Sequence, residues 1–155
     1  MRSGFESRHP DGVLKRLHNM KEDALFYVGQ KAFIKKADEV LVILIPNKRL
    51  DYPGGKIQEG ETDLGESFKR EVKEETGLEI VVERPFTTWL HTFPSTHKLA
   101  GKQVFLVGYR CEYVSGEIKL EHVTDTFSWV TKDDYVKLND GSAYFTALDK
   151  YFTLD

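Results

Sequence analysis

The sequence predicts an α/β (α+β) sandwich built on a mixed β-sheet. Three observations carry this: several strand-length apolar or alternating runs, one early helix between a glycine turn and a glycine stop, and one late amphipathic helix. Each such element has an apolar face that needs a partner layer, and a sheet flanked by helices satisfies all of them.

Ahead of the body, Val13, Leu14, Leu17 and Met20 recur at helical spacing, which predicts a short helix within an N-terminal extension over residues 1–23. Residues 24–36 read as a first strand. Val40 to Ile45 is a continuous apolar run of strand length, the pattern of a central strand buried on both faces. Pro46-Asn47-Lys48 ends it, and Tyr52-Pro53-Gly54-Gly55 predicts a turn feeding the early helix. Asp63-Leu64-Gly65-Glu66 reads as a capping box with Asp63 at the N-cap and Glu66 at N3, and Gly77 reads as the C-cap. Strands are predicted near Glu79–Glu83, Thr87–Phe93, Gln103–Tyr113, Ile118–Leu120 and Thr126–Thr131. From Ser142 onward, Phe145, Leu148 and Phe152 have helical spacing and predict a helix packed on the sheet.

At 155 residues the chain fits one domain with a sizeable core. Hydrophobic content of 40% and charged content of 30% are ordinary for a soluble globular protein. The formal charge of −3 argues against a broad face for a nucleic-acid polymer, which needs clustered Lys and Arg. No apolar run has membrane-crossing length, and the first residues lack the apolar centre of a signal peptide. The single cysteine, Cys111, excludes an internal disulfide and reads as a small core residue rather than a nucleophile. A cytoplasmic location follows as the expectation.

The early helix carries the chemistry. Glu71, Glu74 and Glu75 fall at i, i+3 and i+4, so their carboxylates share one face. Like charges so placed repel, at a cost of about 0.3 kcal/mol per pair, and a divalent cation reverses that sign. Hard oxygen ligands of this kind suit Mg²⁺, with Mn²⁺ as an alternative, and those ions commonly act on phosphates. An acidic helix laced with basic residues is also the pattern of a solvated face, and Glu66–Arg70 and Arg70–Glu74 are i,i+4 pairs. That reading leaves Pro53-Gly54-Gly55, Glu61 and Thr76-Gly77-Leu78 without a purpose.

Taken together, these residues resemble the Nudix box: a glycine, five residues, a glutamate, seven residues, then Arg-Glu-hydrophobic-any-Glu-Glu-any-Gly-hydrophobic. Gly55 and Glu61 match its first half, and Arg70-Glu71-Val72-Lys73-Glu74-Glu75-Thr76-Gly77-Leu78 match its second. One departure stands out, since eight residues, Thr62 to Lys69, separate Glu61 from Arg70. A helix cannot absorb an extra residue without rotating everything after it by about 100°. With the capping box starting at Asp63, the insertion falls in the loop; it affects Glu61 and leaves the three glutamates in register.

The resemblance implies an α/β/α sandwich and hydrolysis of a nucleoside diphosphate linked to a further group X. In that scheme Glu71, Glu74 and Glu75 hold one or more Mg²⁺ ions and the Gly55 carbonyl adds a neutral oxygen ligand. Glu71 is the first choice to take a proton from water, with Glu74 also in the catalytic set. Arg70 either orients these carboxylates and touches phosphate or ties helix to loop; both roles stay open. Family members often add a carboxylate shortly before a Trp-containing strand, which here points to Glu121, with Glu112, Glu117, His122 and Asp125 as alternatives. His91-Thr92-Phe93-Pro94-Ser95-Thr96-His97 is similar to a segment of the oxidised-nucleotide branch, while Pro94 is also consistent with the ADP-ribose branch.

The substrate class therefore stays open among nucleoside triphosphates or oxidised nucleotides, ADP-ribose and sugar nucleotides. Tyr52, His91, Phe93 and Asn139 are candidate substrate contacts, with Trp89 and His97 beside them; for Tyr52, Trp89, Phe93 and Asn139 a place in the core or a turn is the commoner reading. The expected partner is a small nucleotide-type diphosphate, with no membrane, and a homodimer stays open. A catalytically silent nucleotide sensor on the same fold is the alternative, although such proteins usually lose box glutamates that this chain keeps.

Overall fold

The computed structural model describes residues 22–154. The helix expected over Val13–Met20 lies outside them. Seven strands form one mixed sheet: β1 (Tyr27–Lys36), β2 (Glu39–Ile45), β3 (Arg49–Asp51), β4 (Gly54–Lys56), β5 (Glu79–Thr92), β6 (Gln103–Ser115) and β7 (Thr126–Val130). Helix α1 (Leu64–Thr76) covers one face and helix α2 (Ala143–Thr153) the other, with short 3-10 turns at Pro46–Lys48 and Tyr135–Leu138.

The main path runs β3-β2-β1-β6-β5, with β4 added to β1 and β7 to β2. Only β1 and β6 run parallel; every other pair is antiparallel. Strand β1 is central because its two ends take different partners. Lys35 faces Val40 of β2, while Gln30 faces Gly55 of β4.

Two apolar layers hold the sandwich together. Phe33, Val42, Trp89, Leu106, Leu148 and Tyr151 pack beneath α2, and Ala32, Ile34, Leu41, Phe68, Val72 and Ile80 pack beneath α1. Successive residues of β1 and β2 are buried because both sheet faces are covered, which explains their unbroken apolar runs. Helix α1 turns Phe68, Val72 and Thr76 inward at a four-residue interval. Burying Phe68 and Val72 contributes roughly 2 kcal/mol each. Cys111 belongs to this layer, and burial pushes its thiol up to about 12, so it is no nucleophile.

The helix signals hold. Asp63 Oδ1 accepts the Glu66 N–H at 3.1 Å, Gly77 adopts φ 77°, and its N–H reaches the Lys73 carbonyl. Ser142 caps α2 in the same way through the Phe145 N–H.

Three expectations need correction. The stretch Tyr52–Gly55 is not a free turn, since Gly54–Lys56 forms β4 against β1. The strands expected at Glu79–Glu83 and Thr87–Phe93 are one long β5, with register shifts flanking Arg84 and Pro85. Ile118–Leu120 is not a strand. It is a segment laid against the end of α1, where the Lys119 and Glu121 N–H groups donate to the carbonyls of Thr76 and Glu75. Its apolar residues pack on the α1 side of the core, and its backbone satisfies helix-end carbonyls that have no partner within the helix. Among the described residues no helix is long and apolar enough to cross a membrane.

Candidate active site

Strand β4 and helix α1 meet edge to face, and the contact is close. Gly54 has φ 136°, and a Cβ there would lie 2.0 Å from the Gln30 carbonyl oxygen, so the position admits only glycine. A Cβ on Gly55 would lie 2.1 Å from Glu71 Oε2, because the Glu71 carboxylate folds over that residue. The Gly54 N–H donates to Glu75 Oε2 at 2.9 Å. Glycines therefore let the glutamate face of α1 rest directly on the β4 backbone.

The result is one cleft lined by Gly55, Glu71, Glu74, Glu75 and Glu121. The extra loop residue does no harm to it, since α1 starts at Leu64 and the three glutamates stay on one face. Glu121, the distal carboxylate expected from the resemblance, lines the cleft from the far side because its backbone is tied to Glu75. None of the alternatives lines this cleft: Glu112 pairs with Lys35 at 4.0 Å, Asp125 lines a neighbouring hollow with Glu75 and Glu121, and His122 lines both that hollow and a larger cavity beside the cleft. Glu117 lies against the α1 C-cap, its carbonyl oxygen 2.8 Å from where a Gly77 Cβ would sit.

Arg70 donates to Glu61 Oε1 at 3.0 Å and lies 3.7 Å from Glu74 Oε1. Glu61 also accepts the Gln58 N–H at 2.9 Å. Of the two roles left open for Arg70, the geometry displays the tie between loop and helix. That tie compensates the longer loop and keeps Glu61 near α1.

Burial and neighbouring charge raise the proton affinity of two cleft carboxylates. Burial pushes the Glu71 carboxyl above its usual range, with Glu61 and Glu74 adding to the effect. Burial pushes Glu75 up to about 7, against the opposing pull of the Gly54 N–H and Lys31. Among the described residues no three such side chains form a closed metal shell: Glu74 leans toward Arg70 and Glu75 toward Gly54. The donor set nevertheless fits Mg²⁺ or Mn²⁺, being all oxygen, anionic and open to one side. Glycine at position 55 leaves the close approach free.

Beside the cleft lies a cavity of about 580 Å³, which shares Gly55 and Glu75 with it. His91 and Phe93, expected at the substrate, line it, as do His97 and Tyr144. The Phe93 and His97 rings stack at 4.5 Å, and His91 meets Tyr144 edge to face at 5.5 Å. His97 Nδ1 accepts the Leu99 N–H, which leaves Nε2–H as its donor. Burial lowers the His91 pKa, and of its charged neighbours only Asp51 opposes this.

Two expected contacts are not at the cavity surface. Tyr52 is 1% exposed, stacks on Phe33 at 4.0 Å and donates to the Tyr144 carbonyl, so it is core. Asn139 accepts the Gly141 N–H in an exposed turn, and its neighbour Asp140 lines the cavity instead. Trp89 is likewise core. Sequence reasoning missed Lys31, Asp51, Arg49, Lys56 and Tyr144. One signal for Lys31 was present: a lysine at a buried position of an apolar strand needs a partner.

The layered fold with a glutamate cleft at a helix–strand junction defines a class of small α/β proteins. The model of the NUDIX domain matches residues 26–149, and the chain belongs to that family. Solved structures agree on the fold. A MutT protein from Methanosarcina mazei Go1 shares 25% identity at a TM-score of 0.66, covering 85% of this chain and 96% of that one. A mutator MutT protein from Bacillus halodurans shares 23% at 0.63, covering 84% of each. An ADP-ribose pyrophosphatase from Streptococcus suis 89-1591 shares 21% at 0.56, covering 83% and 94%. No curated protein matches the chain.

Proposed function

We propose that this chain is a divalent-metal-dependent hydrolase that cleaves a diphosphate linkage in a nucleoside diphosphate linked to X. The observation that carries the reading is the cleft in which Glu71, Glu74, Glu75 and Glu121 surround Gly55 and open onto the cavity. Family membership and relatives named as pyrophosphatases support it.

The glutamates, with the Gly55 carbonyl, would hold Mg²⁺ or Mn²⁺. Such an ion neutralises diphosphate charge and makes a water acidic enough to attack. Glu71, whose proton affinity burial raises, would be the group placed to take a proton from the attacking water. Lys56, next to Gly55 at the shared edge with its ammonium 5.5 Å from the Phe93 ring centroid, would offer its positive charge to phosphate oxygens. Arg70 acts on the reaction by positioning Glu61 and Glu74. The half-enclosed cavity holds the organic part of the substrate away from water.

A phosphate-release screen with Mg²⁺ or Mn²⁺ tests this over nucleoside triphosphates, oxidised nucleotides, ADP-ribose, dinucleoside polyphosphates and sugar nucleotides. Turnover that disappears with EDTA is the expected result. Tight binding without turnover of any member would replace the hydrolase with a silent sensor.

A further inference from the structure

The floor of the cavity carries a charged pair that diphosphate chemistry does not use. Lys31 projects from β1 and Asp51 from β3, with Nζ 2.7 Å from Oδ1 and side chains 13% and 31% exposed. Lys31 Nζ also donates to the Tyr52 carbonyl at 3.1 Å, and the same Asp51 Oδ1 accepts the Tyr52 N–H at 2.7 Å. All of Asp51's internal bonding is thus gathered on one oxygen. Among the described residues Oδ2 has no partner, and one of the three ammonium hydrogens is uncommitted. Burial pulls the Lys31 pKa down, but Asp51, Tyr144 and Glu75 together outweigh it and hold the ammonium above its ordinary value.

A free carboxylate oxygen beside a free ammonium hydrogen is an acceptor next to a donor. Both are held in place by β-sheet backbone and by each other. Asp51 lines the cavity with its side chain 31% exposed, so its carboxylate is within reach of water there and of a ligand that replaces that water. The shape of the wall narrows the ligand further. His91, Phe93 and Tyr144 present ring faces and edges around the cavity, and flat aromatic surroundings select a flat guest. A nucleobase is flat and carries, on its pairing edge, a donor next to an acceptor. A sugar diol offers donors but no plane.

We propose that the Lys31–Asp51 pair reads the pairing edge of the substrate's nucleobase, Asp51 Oδ2 accepting a base N–H while Lys31 Nζ donates to the adjacent carbonyl or ring nitrogen. The inference rests on the hydrolase reading above and assigns the base, rather than group X, to this cavity. Lys31 and Asp51 are then specificity-determining residues, remote from the bond that breaks.

The test begins with the wild-type protein, so that no variant's folding enters the result. kcat/KM is measured for nucleotide substrates of the four common bases, and for counterpart nucleotides methylated on the pairing edge: those of N1-methylguanosine, N3-methyluridine, N6,N6-dimethyladenosine and N4,N4-dimethylcytidine. Blocking the edge of the preferred base is expected to lower kcat/KM at least ~10-fold, since it leaves a buried polar group unpaired. Asp51→Asn, whose amide both donates and accepts, is expected to reorder the preference among bases. Parent and methylated substrates turned over equally would overturn the proposal, as would turnover confined to diphosphates without a base. Both outcomes leave metal-dependent hydrolysis standing, whereas no metal-dependent turnover of any diphosphate would strike the underlying reading itself.

Discussion

The glutamate cleft and the adjoining cavity are built by opposite routes. Gly55, Glu71, Glu74 and Glu75 come from one local stretch, joined by Tyr27 and Glu121 from afar. The cavity draws Lys31 from β1, Asp51 from β3, His91 from β5 and Tyr144 from α2. Their electrostatics differ too. Burial, with like charges adding to it, raises the proton affinity of Glu71 and Glu75 in the cleft, whereas the cavity floor neutralises itself through Lys31 and Asp51. The lesson is that a reactive centre for a common bond can be written locally, while selectivity is assembled by distant parts of the fold.

Removing a cleft carboxylate should separate the two regions most sharply. Glu74→Gln or Glu75→Gln is expected to lower kcat at least ~10²-fold, the scale of losing one electrostatic contact to the transition state. Steady-state kinetics at saturating Mg²⁺ checks this; unchanged kcat in both variants would remove them from the reaction.

Gly55→Ala comes next, at about a tenfold loss of kcat/KM, because its Cβ would collide with the Glu71 carboxylate at 2.1 Å. The obstacle is the end of a flexible side chain, so the circular dichroism spectrum should not change. Full activity in this variant would mean that Glu71 works without resting on β4.

A smaller effect appears in stability against pH. The folded Glu75 carboxyl titrates at about 7, above its ordinary value of 4.5, so the folded state binds the extra proton between those limits. The metal-free protein therefore keeps this stability below pH 4.5 and loses it as pH rises through about 7. Thermal melts of wild type and Glu75→Gln should diverge over that window, with wild type the weaker at high pH and Mg²⁺ restoring it. A constant difference between the two curves would contradict the burial of Glu75.

Least of all, Asp63→Ala should cost about 1 kcal/mol by deleting the α1 cap, read as a lowered Tm. An unchanged Tm would show that packing of Phe68 and Val72 alone defines where the helix begins.

Much of this was legible in the chain because its signals are local. Asp63, Gly77 and Ser142 mark helix ends through bonds to residues three or four positions away. Glu71, Glu74 and Glu75 reveal their common face by spacing. The errors share a cause in contacts that no local pattern reports. Ile118–Leu120 alternates like a strand, yet its backbone is spent on the end of α1. Residues 84–86 fall between two predicted strands, yet β5 runs through them with register shifts against β6. Tyr52 sits beside the glycines and reads as a substrate contact, but β3 turns its ring into the core against Phe33. Lys31 and Asp51 are twenty residues apart, and neither predicts the other.

By itself the sequence determined which segments become helices, which carboxylates face one way and which family the box resembles, since these depend on spacings within one or two turns of chain. The tertiary structure alone decided that Tyr52 is interior, that the Glu121 backbone is tied to Glu75 at the end of α1 and that Lys31 meets Asp51 beside the cavity. Those outcomes depend on strand register and on which element lies across from which. Backbone pairing sets both over long separations, and side-chain periodicity does not encode them.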